Sequence, residues 1–445
     1  MKRFLALILC IACMAALAGC VETDALSGTL AAPEYPEMAP YPSEDEFETL
    51  SGEFDFESFM QANDAYAETL NRQRQYGDAC TGLESYFTAA TQALLADASG
   101  ENLVYSPVNL YLALGMLAEI TDGQSRDQIL SLLSEDSVED VRVKSHALFN
   151  ACYRDTGAAT SLPASSIWLQ DGYPYHSGVL NTLAEDYYAS AFSGEMGSEE
   201  YTGQLRSWLN ENTGGLLSDA CEGVELSRDT RMALATTLYF CARWTDEFHE
   251  TAKADFRLSD GSAVECDFMR QSHARFYYWG DSFSAVKQDF LTGGGMWFLL
   301  PDEGVSVEEL IAGSEAMEFL LADGAWEDSK HLVVHLSAPK FDVSSTMDLS
   351  DGMKALGISD VFDPAVSDFS PLTGETLYLS EATHAARVKI DEEGCEAAAF
   401  TVMMPTGAAM PPSEEIEFTL DRPFLFAIMS DTGLPLFIGV VERPA

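Results

Sequence analysis

In "KIDEEGCEAAAFTVMMPTGAAMPPSEEIEF", Lys389–Phe418, the interval Cys395–Met410 carries one charge, Glu396, although the 445-residue chain has a formal net charge of −48. Small side chains open the interval, Thr401–Met404 occupy its middle, and a patch of Pro, Gly and Ala closes it. An uncharged run fits a buried strand, whereas the closing patch fits a loop. The segment is therefore either a strand already inside a sheet or a loop able to become one. The rest of the chain has to decide.

Hydrophobic residues make up 47% of the chain and aromatics 11%, enough for a sizeable core in one large domain or a few average ones. With 72 acidic against 24 basic residues, the surface repels phosphate backbones and anionic headgroups. This argues against nucleic-acid binding. It leaves plain solubility, or attraction of cationic partners, as the use of the charge.

The chain opens with "MKR" and the apolar run "FLALILCIACMAALA", a targeting segment too short to span a bilayer comfortably. It ends in "LAGC", Leu17–Cys20, which resembles a bacterial lipobox. The resemblance implies a lipoprotein signal peptide over residues 1–19, with diacylglycerol on the Cys20 sulfur. An ordinary signal peptide cut nearby is the alternative. Either way the expectation is an exported protein, lipid-anchored to the outer face of a bacterial membrane or secreted.

No Lys or Arg occurs between Arg3 and Arg72, and "APEYPEMAPYPSEDEFETLSGEFDFESF" is acidic, proline-punctuated and without a sustained period. Residues 20–75 therefore read as a disordered, self-repelling tether, and residues 76–445 as the folded domain. Six cysteines remain beyond Cys20: Cys80, Cys152, Cys221, Cys241, Cys266 and Cys395. They form no CxxC pair or Cys/His cluster, so no metal site is indicated and buried thiols are expected.

Within the domain, "LESYFTAATQALLADA", "VNLYLALGMLAEI", "DQILSLL" and "GQLRSWLNENTGG" have helical spacing. Strand-like runs then take over: "RMALATTLYFCARW", "GGMWFLLP", "HLVVHLSAPKF", "LYLSEATHAARVKI", "FTLDRPFLFAIM" and "PLFIGVVERP". Helices early and strands late indicate an α+β fold. No GxSxG, HExxH or phosphate-loop pattern is present, and Trp168 and the other tryptophans read as core.

Taken in order, "NLVYSPVNLYLALGML", "SWLNENTGGLL", "TLYFCARWTDEF", "FLLPDEG", "APKFDVSSTMDLSDGMKALGISDVFD", "DFSPLTG", "LYLSEATHAARVKIDEEGCEAAAF" and "DRPFLFAIMSDTGLPLFIGVV" resemble the serpin family, from about Gly77 to Pro444. The resemblance implies three β-sheets surrounded by about nine helices and an exposed reactive-centre loop. It also implies a suicide inhibitor of serine endopeptidases, not an enzyme: a protease cleaves the loop, the loop inserts as a new strand, and the acylated protease is trapped. A target protease is the expected partner, the protein is expected to be monomeric, and no cofactor or metal is needed.

The hinge of such a loop is Glu393, Gly394, Cys395, Glu396, Ala397, Ala398 and Ala399. Inward positions would be Cys395, Ala397, Ala399, Thr401 and Met403, all uncharged and small at the start, while Glu396 faces out. Cys395 stands where the family usually has Thr, and Phe400 where it has a small residue, on the outward face. Counting forward from Gly394 puts the scissile bond at Ala408–Ala409; counting back from "DRPF" gives Ala409–Met410. A small aliphatic residue suits elastase-like proteases, with subtilisin-like or papain-like ones as further possibilities. Pro405 would sit near the far end of the inserting strand, where it lacks a donor. The shutter beneath the sheet carries over to Ser106, Asn109, Thr236 and His384, with Asn109 where Ser is usual and Thr236 where Asn is usual. The alternative function is a non-inhibitory serpin that binds a ligand or is merely a substrate; its hinge usually carries charge or bulk.

Overall fold

The computed structural model describes residues 27–48, 54–95, 100–215, 223–395 and 412–444. Helices dominate the first half: α1 (Phe56–Ala79), α2 (Glu84–Leu95), α3 (Pro107–Ile120), α4 (Gly123–Leu133), α5 (Val138–Cys152), α6 (Ser177–Asp186) and α7 (Glu199–Glu211). Helix α3 is buried along its whole length, as a sequence apolar nearly all round requires; Ser106 caps it and Pro107 opens its first turn. The short helices α8 (Val307–Ala312), α9 (Glu315–Leu321) and α10 (Ser350–Ala355) lie between later strands.

One sheet runs, in spatial order, β1 (Thr29–Ala31), β5 (Ala189–Gly194), β4 (Ala159–Gln170), β6 (Met232–Arg243), β14 (Gly394–Cys395), β13 (Glu381–Ile390) and β12 (Phe341–Asp348), with β3 (Arg154–Asp155) beside β4. The other runs β15 (Glu415–Thr419), β11 (Ser329–Pro339), β8 (Ala263–Trp279), β9 (Phe283–Asp289), β10 (Gly295–Pro301), β16 (Phe424–Met429), β17 (Pro435–Val441) and β2 (Leu103–Tyr105), with β7 (Glu250–Arg257) beside β8. The α+β class stands. Two of the three expected sheets share the 17-residue strand β8, so hydrogen bonding joins them into one. Strands β10, β16 and β17 are buried on both faces, and Trp168 and Trp297 are core residues, fully buried.

The expected tether over 20–75 is corrected by its described residues. Thr29–Ala31 adds an edge strand to β5, and α1 is a 24-residue helix that begins inside the span. Tyr35 stacks on Phe149, Tyr153 and Tyr188 at 5.9, 5.5 and 6.5 Å between ring centroids. The buried face of α1 consists of Tyr66, Thr69, Gln73 and Gly77, at helical spacing but mostly polar. Hydropathy therefore shows no period, although the face is packed. The amide of Gln73 donates to the Tyr153 carbonyl and accepts from Arg154, which also pairs with Asp431 at 3.0 Å. A Cβ on Gly77 would lie 2.5 Å from the Thr432 side chain, so only glycine lets the helix approach there. Of the six thiols, Cys80, Cys152, Cys241, Cys266 and Cys395 are buried and form no disulfide among the described residues; Cys221 lies outside them.

Candidate functional site: a sheet opened at one end

Strands β6 and β13 run parallel and pair directly from Ala233–Glu381 to Leu238–Ala386. Nearer the other end of both strands, β14 separates them. Cys395 pairs antiparallel with Ile390 on one side and with Ala242 on the other, and Gly394 pairs with Arg243. Within the quoted stretch, Gly394–Cys395 is thus already a strand of the sheet. The remaining hinge positions Glu396, Ala397, Ala398 and Ala399, and the candidate bond at Ala408, Ala409 and Met410, lie outside the described residues, as does Cys20.

The chain reverses between β13 and β14 through a turn built on Asp391, whose carboxylate accepts from the Glu393 and Gly394 N–H groups at 2.9 and 3.2 Å. The carbonyls of Glu393 and Glu392 accept from the backbone N–H groups of Trp244 and Phe248, both at 3.0 Å, and the Trp244 indole donates to the Asp391 carbonyl. The Glu392 carboxylate meets Lys340 Nζ and Thr251 Oγ1, each at 2.6 Å. Burial alone would raise its pKa, but the hydrogen bonds from Lys340 and Thr251 hold it below the usual carboxylate range. Gly394 is dictated by space: a Cβ there would sit 2.3 Å from the Ala242 carbonyl oxygen. Cys395 is 1% exposed, so a side chain of its size is already accommodated between the flanking strands.

Further along the gap, where β6 and β13 touch, all four predicted shutter residues converge, each fully buried. His384 Nε2 accepts from the Ser106 backbone N–H at 3.0 Å, which leaves the ring proton on Nδ1 to donate to Thr236 Oγ1 at 2.8 Å. Burial pulls the His384 pKa down to about 4, so the ring is neutral near pH 7. The Ser106 hydroxyl is used elsewhere, accepting from the Asn109 N–H as the cap of α3. Asn109 reaches past His384 and donates from Nδ2 to the Thr237 carbonyl of β6 at 2.6 Å, while its Oδ1 has no partner among the described residues. The exchange of amide and hydroxyl at positions 109 and 236 therefore preserves two bonds from the α3 and β13 side to β6.

Lys340, Thr251, Trp244 and Phe248 were not singled out from sequence, because a turn held by backbone carbonyls leaves no side-chain pattern. The acidic run Asp391–Glu393 was the available signal, and in so acidic a chain it is uninformative. At the opposite end of the gap, Thr230 Oγ1 donates to Glu381 at 2.8 Å, and burial raises the Glu381 carboxyl. Across β12 and β13, Arg387 grips Asp342 through both carboxylate oxygens at 2.7 and 2.6 Å.

The family profile described as Serpin (serine protease inhibitor) matches residues 85–444. Serpin-Z2A of Triticum aestivum is 30% identical over 379 residues, covering 80% of this chain and 93% of the relative. Serpin-ZX of Arabidopsis thaliana is 27% identical over 374 residues, covering 80% and 95%. Among solved structures, the thermophilic serpin tengpin in its native state superposes with a TM-score of 0.72 at 24% identity, covering 81% of this chain and 92% of that one. Arabidopsis AtSerpin1 in its native stressed conformation gives 0.69 at 24% identity, covering 84% and 98%. The profile match over most of the chain, the relative aligned along nearly its full length and a sheet that admits the loop's first residues agree: the chain belongs to the serpin family.

Proposed function

We propose that this serpin is a suicide inhibitor of serine endopeptidases with small primary pockets, elastase-like first and subtilisin-like second. The observation that carries the reading is the position of Gly394–Cys395 between β6 and β13. Continuing that pairing one residue at a time brings Thr401 opposite both His384 and Thr236, and Met404 opposite both Glu381 and Ala233. The register is consistent on the two flanking strands, so a strand of this length fits without a bulge. Cys395, Ala397, Ala399, Thr401 and Met403 would share the face of Ile390 and His384. Pro405 would fall one step further, opposite Met232 at the end of β6, whose carbonyl now accepts from the Ser380 N–H and would find no donor in proline.

The direction of the exchange follows from the sheet. Parallel pairing between β6 and β13 would be replaced by two antiparallel ladders, which are more stable per residue. In the proposed cycle the protease serine attacks the Ala408 carbonyl carbon, the Ala409 amine leaves with the C-terminal fragment, and the acyl-enzyme ester is carried along as the loop inserts. Cleavage at Ala409–Met410 is the alternative bond. We further propose export with lipid on Cys20, supported by the "LAGC" motif.

The test mixes the chain with a pancreatic elastase and reads denaturing electrophoresis together with the mass of the released peptide. A denaturant-stable complex with a peptide starting at Ala409 or Met410 is expected, and cleaved chain is expected to melt at a markedly higher temperature. Cleavage with no complex across a protease panel and an unchanged melting temperature would sink the reading.

A further inference from the structure

Among the described residues, two bonds between side chains join β6 and its lead-in to β13. One is the shutter bond between Thr236 and His384; the other lies at the foot of the gap, from Thr230 Oγ1 to Glu381 at 2.8 Å. Thr230 is 1% exposed, and the Ser227 backbone N–H donates to its hydroxyl at 3.0 Å, which fixes its direction. No other side chain among the described residues donates to Glu381. Lys354, in the same cleft, pairs with Asp351, and the charged neighbours of Glu381 are the carboxylates of Asp348 and Glu225. Two further bonds run beside the pair, from Arg231 N–H to Ser380 Oγ and from Ser380 N–H to the Met232 carbonyl, both at 2.9 Å.

The shutter bond and the foot bond fare differently when a strand enters between β6 and β13. Their separation doubles, from about 4.8 to about 9.6 Å, and neither bond can span it. At the shutter, Thr401 brings a hydroxyl to the level of the bond it displaces. At the foot, the pairing of Cys395 with Ile390 and Ala242 carries Met404 to the level of Glu381, on the same face. A thioether donates nothing, so a half-buried carboxylate would lose its donor and gain none. Pro405, next along, lacks the N–H that the Met232 carbonyl would need in place of Ser380. The last rung therefore breaks bonds that the entering strand cannot remake, and a bond to a carboxylate is among the strongest of its kind.

We propose that Thr230 and Glu381 are positioning residues, a latch that stops loop insertion short of its last rung and so limits how far the acylated protease is carried. The proposal rests on the inhibitory function above. With its travel cut short, the protease keeps part of its hydrolytic power. Water adds to the Ala408 carbonyl carbon, the serine Oγ leaves with a proton, and active protease departs from a chain that now ends in the Ala408 carboxylate. Opening the latch lets Met404 seat and lengthens the life of the complex. In the uncut chain the same bond keeps the foot of the gap closed.

The experiment forms the elastase complex with the full chain and with Thr230→Val, Thr230→Ser and Glu381→Ala, removes free inhibitor, and follows the return of elastase activity. Amide exchange of the uncut chains is measured alongside. Thr230→Val, which removes the hydroxyl from a side chain of nearly the same shape, and Glu381→Ala are each expected to slow release about tenfold and to speed exchange at the Ser380 amide about tenfold. Exchange at the Cys395 amide is expected to stay as in the parent, and Thr230→Ser, which retains the hydroxyl, to match the parent in both readings. The latch is overturned, with the inhibitory function intact, by release that is unchanged or faster in Thr230→Val and Glu381→Ala, by unchanged exchange at Ser380, or by a Thr230→Ser that behaves like Thr230→Val. If the parent chain forms no complex with any protease of a broad panel, the inhibitory function fails and the latch's limit on travel is overturned with it.

Discussion

The two ends of the gap between β6 and β13 are built in opposite ways. At the hinge end the strands are already parted, and Gly394–Cys395 sits between them, anchored by backbone donors from Trp244 and Phe248 and by the Lys340–Glu392 pair. At the shutter the strands touch, and His384 is locked to Thr236 and Ser106 with no water-facing surface. For the proposed insertion, the difference teaches where the barrier would lie. Admitting the first residue of the loop requires no further opening, whereas admitting Thr401 requires breaking a buried hydrogen bond, a step of about 1–3 kcal/mol if its partners are left unmet. Thr401 brings a hydroxyl to that level, which can meet the bond it displaces.

The sharpest way to break the comparison is to make the shutter impassable. Thr401→Arg would force a charge into the level of His384, and complex formation with elastase is expected to disappear while cleavage continues. Electrophoresis showing intact complex would place the barrier elsewhere. Next in size is the acid response of the shutter. His384 is held near 4 when folded and titrates near 6.5 when unfolded, so its neutral form contributes full stability above about pH 6.5. As pH falls from there to about 4 the unfolded chain takes up the proton first and stability declines, by on the order of 3 kcal/mol at most. A His384→Gln variant is expected to lose this portion of the slope in denaturant titrations between pH 4 and 7; an unaltered slope would assign it to other groups.

At the hinge end, Gly394→Ala places a Cβ against the Ala242 carbonyl and is expected to eject the wedge at a cost of about 2 kcal/mol. Faster hydrogen exchange at the Cys395 and Arg243 amides, with the Thr236 region unchanged, would show the two ends acting separately. The smallest effect is expected from Lys340→Ala. The pair is about one-third exposed, so its loss is worth about 0.5–1 kcal/mol, read as a slight drop in melting temperature that shrinks further in high salt.

How much of this was legible beforehand depends on whether a residue acts through its side chain. Ser106, Asn109, Thr236 and His384 were carried over from the family resemblance, and the structure brings them together. The hinge turn was not, since its bonds come from main-chain groups that any residue supplies. Helix α1 was misread for a related reason. Its packed face is Tyr66, Thr69, Gln73 and Gly77, and a mostly polar face buried against Tyr153 and Arg154 looks solvated to any hydropathy argument. The joining of two sheets through β8 was equally hidden, because continuity of a strand depends on where its partners end.

The edge strand β1 changes what a lipid on Cys20 would do. A tether of residues 20–75 would let the body roam about 190 Å from a membrane. With Thr29 paired to Phe192, the leash from Cys20 to the sheet is nine residues, at most ~30 Å. Thr29 pairs with Phe192, Phe192 with Trp168, Trp168 with Ala233, and Ala233 with Glu381, so the leash joins the sheet at the level of the foot of the gap, opposite the hinge end. Three strand spacings, about 15 Å, separate it from that foot. If Cys20 carries the proposed lipid, the hinge end of the gap would face away from the membrane, and a protease carried down the gap in the proposed cycle would end toward it.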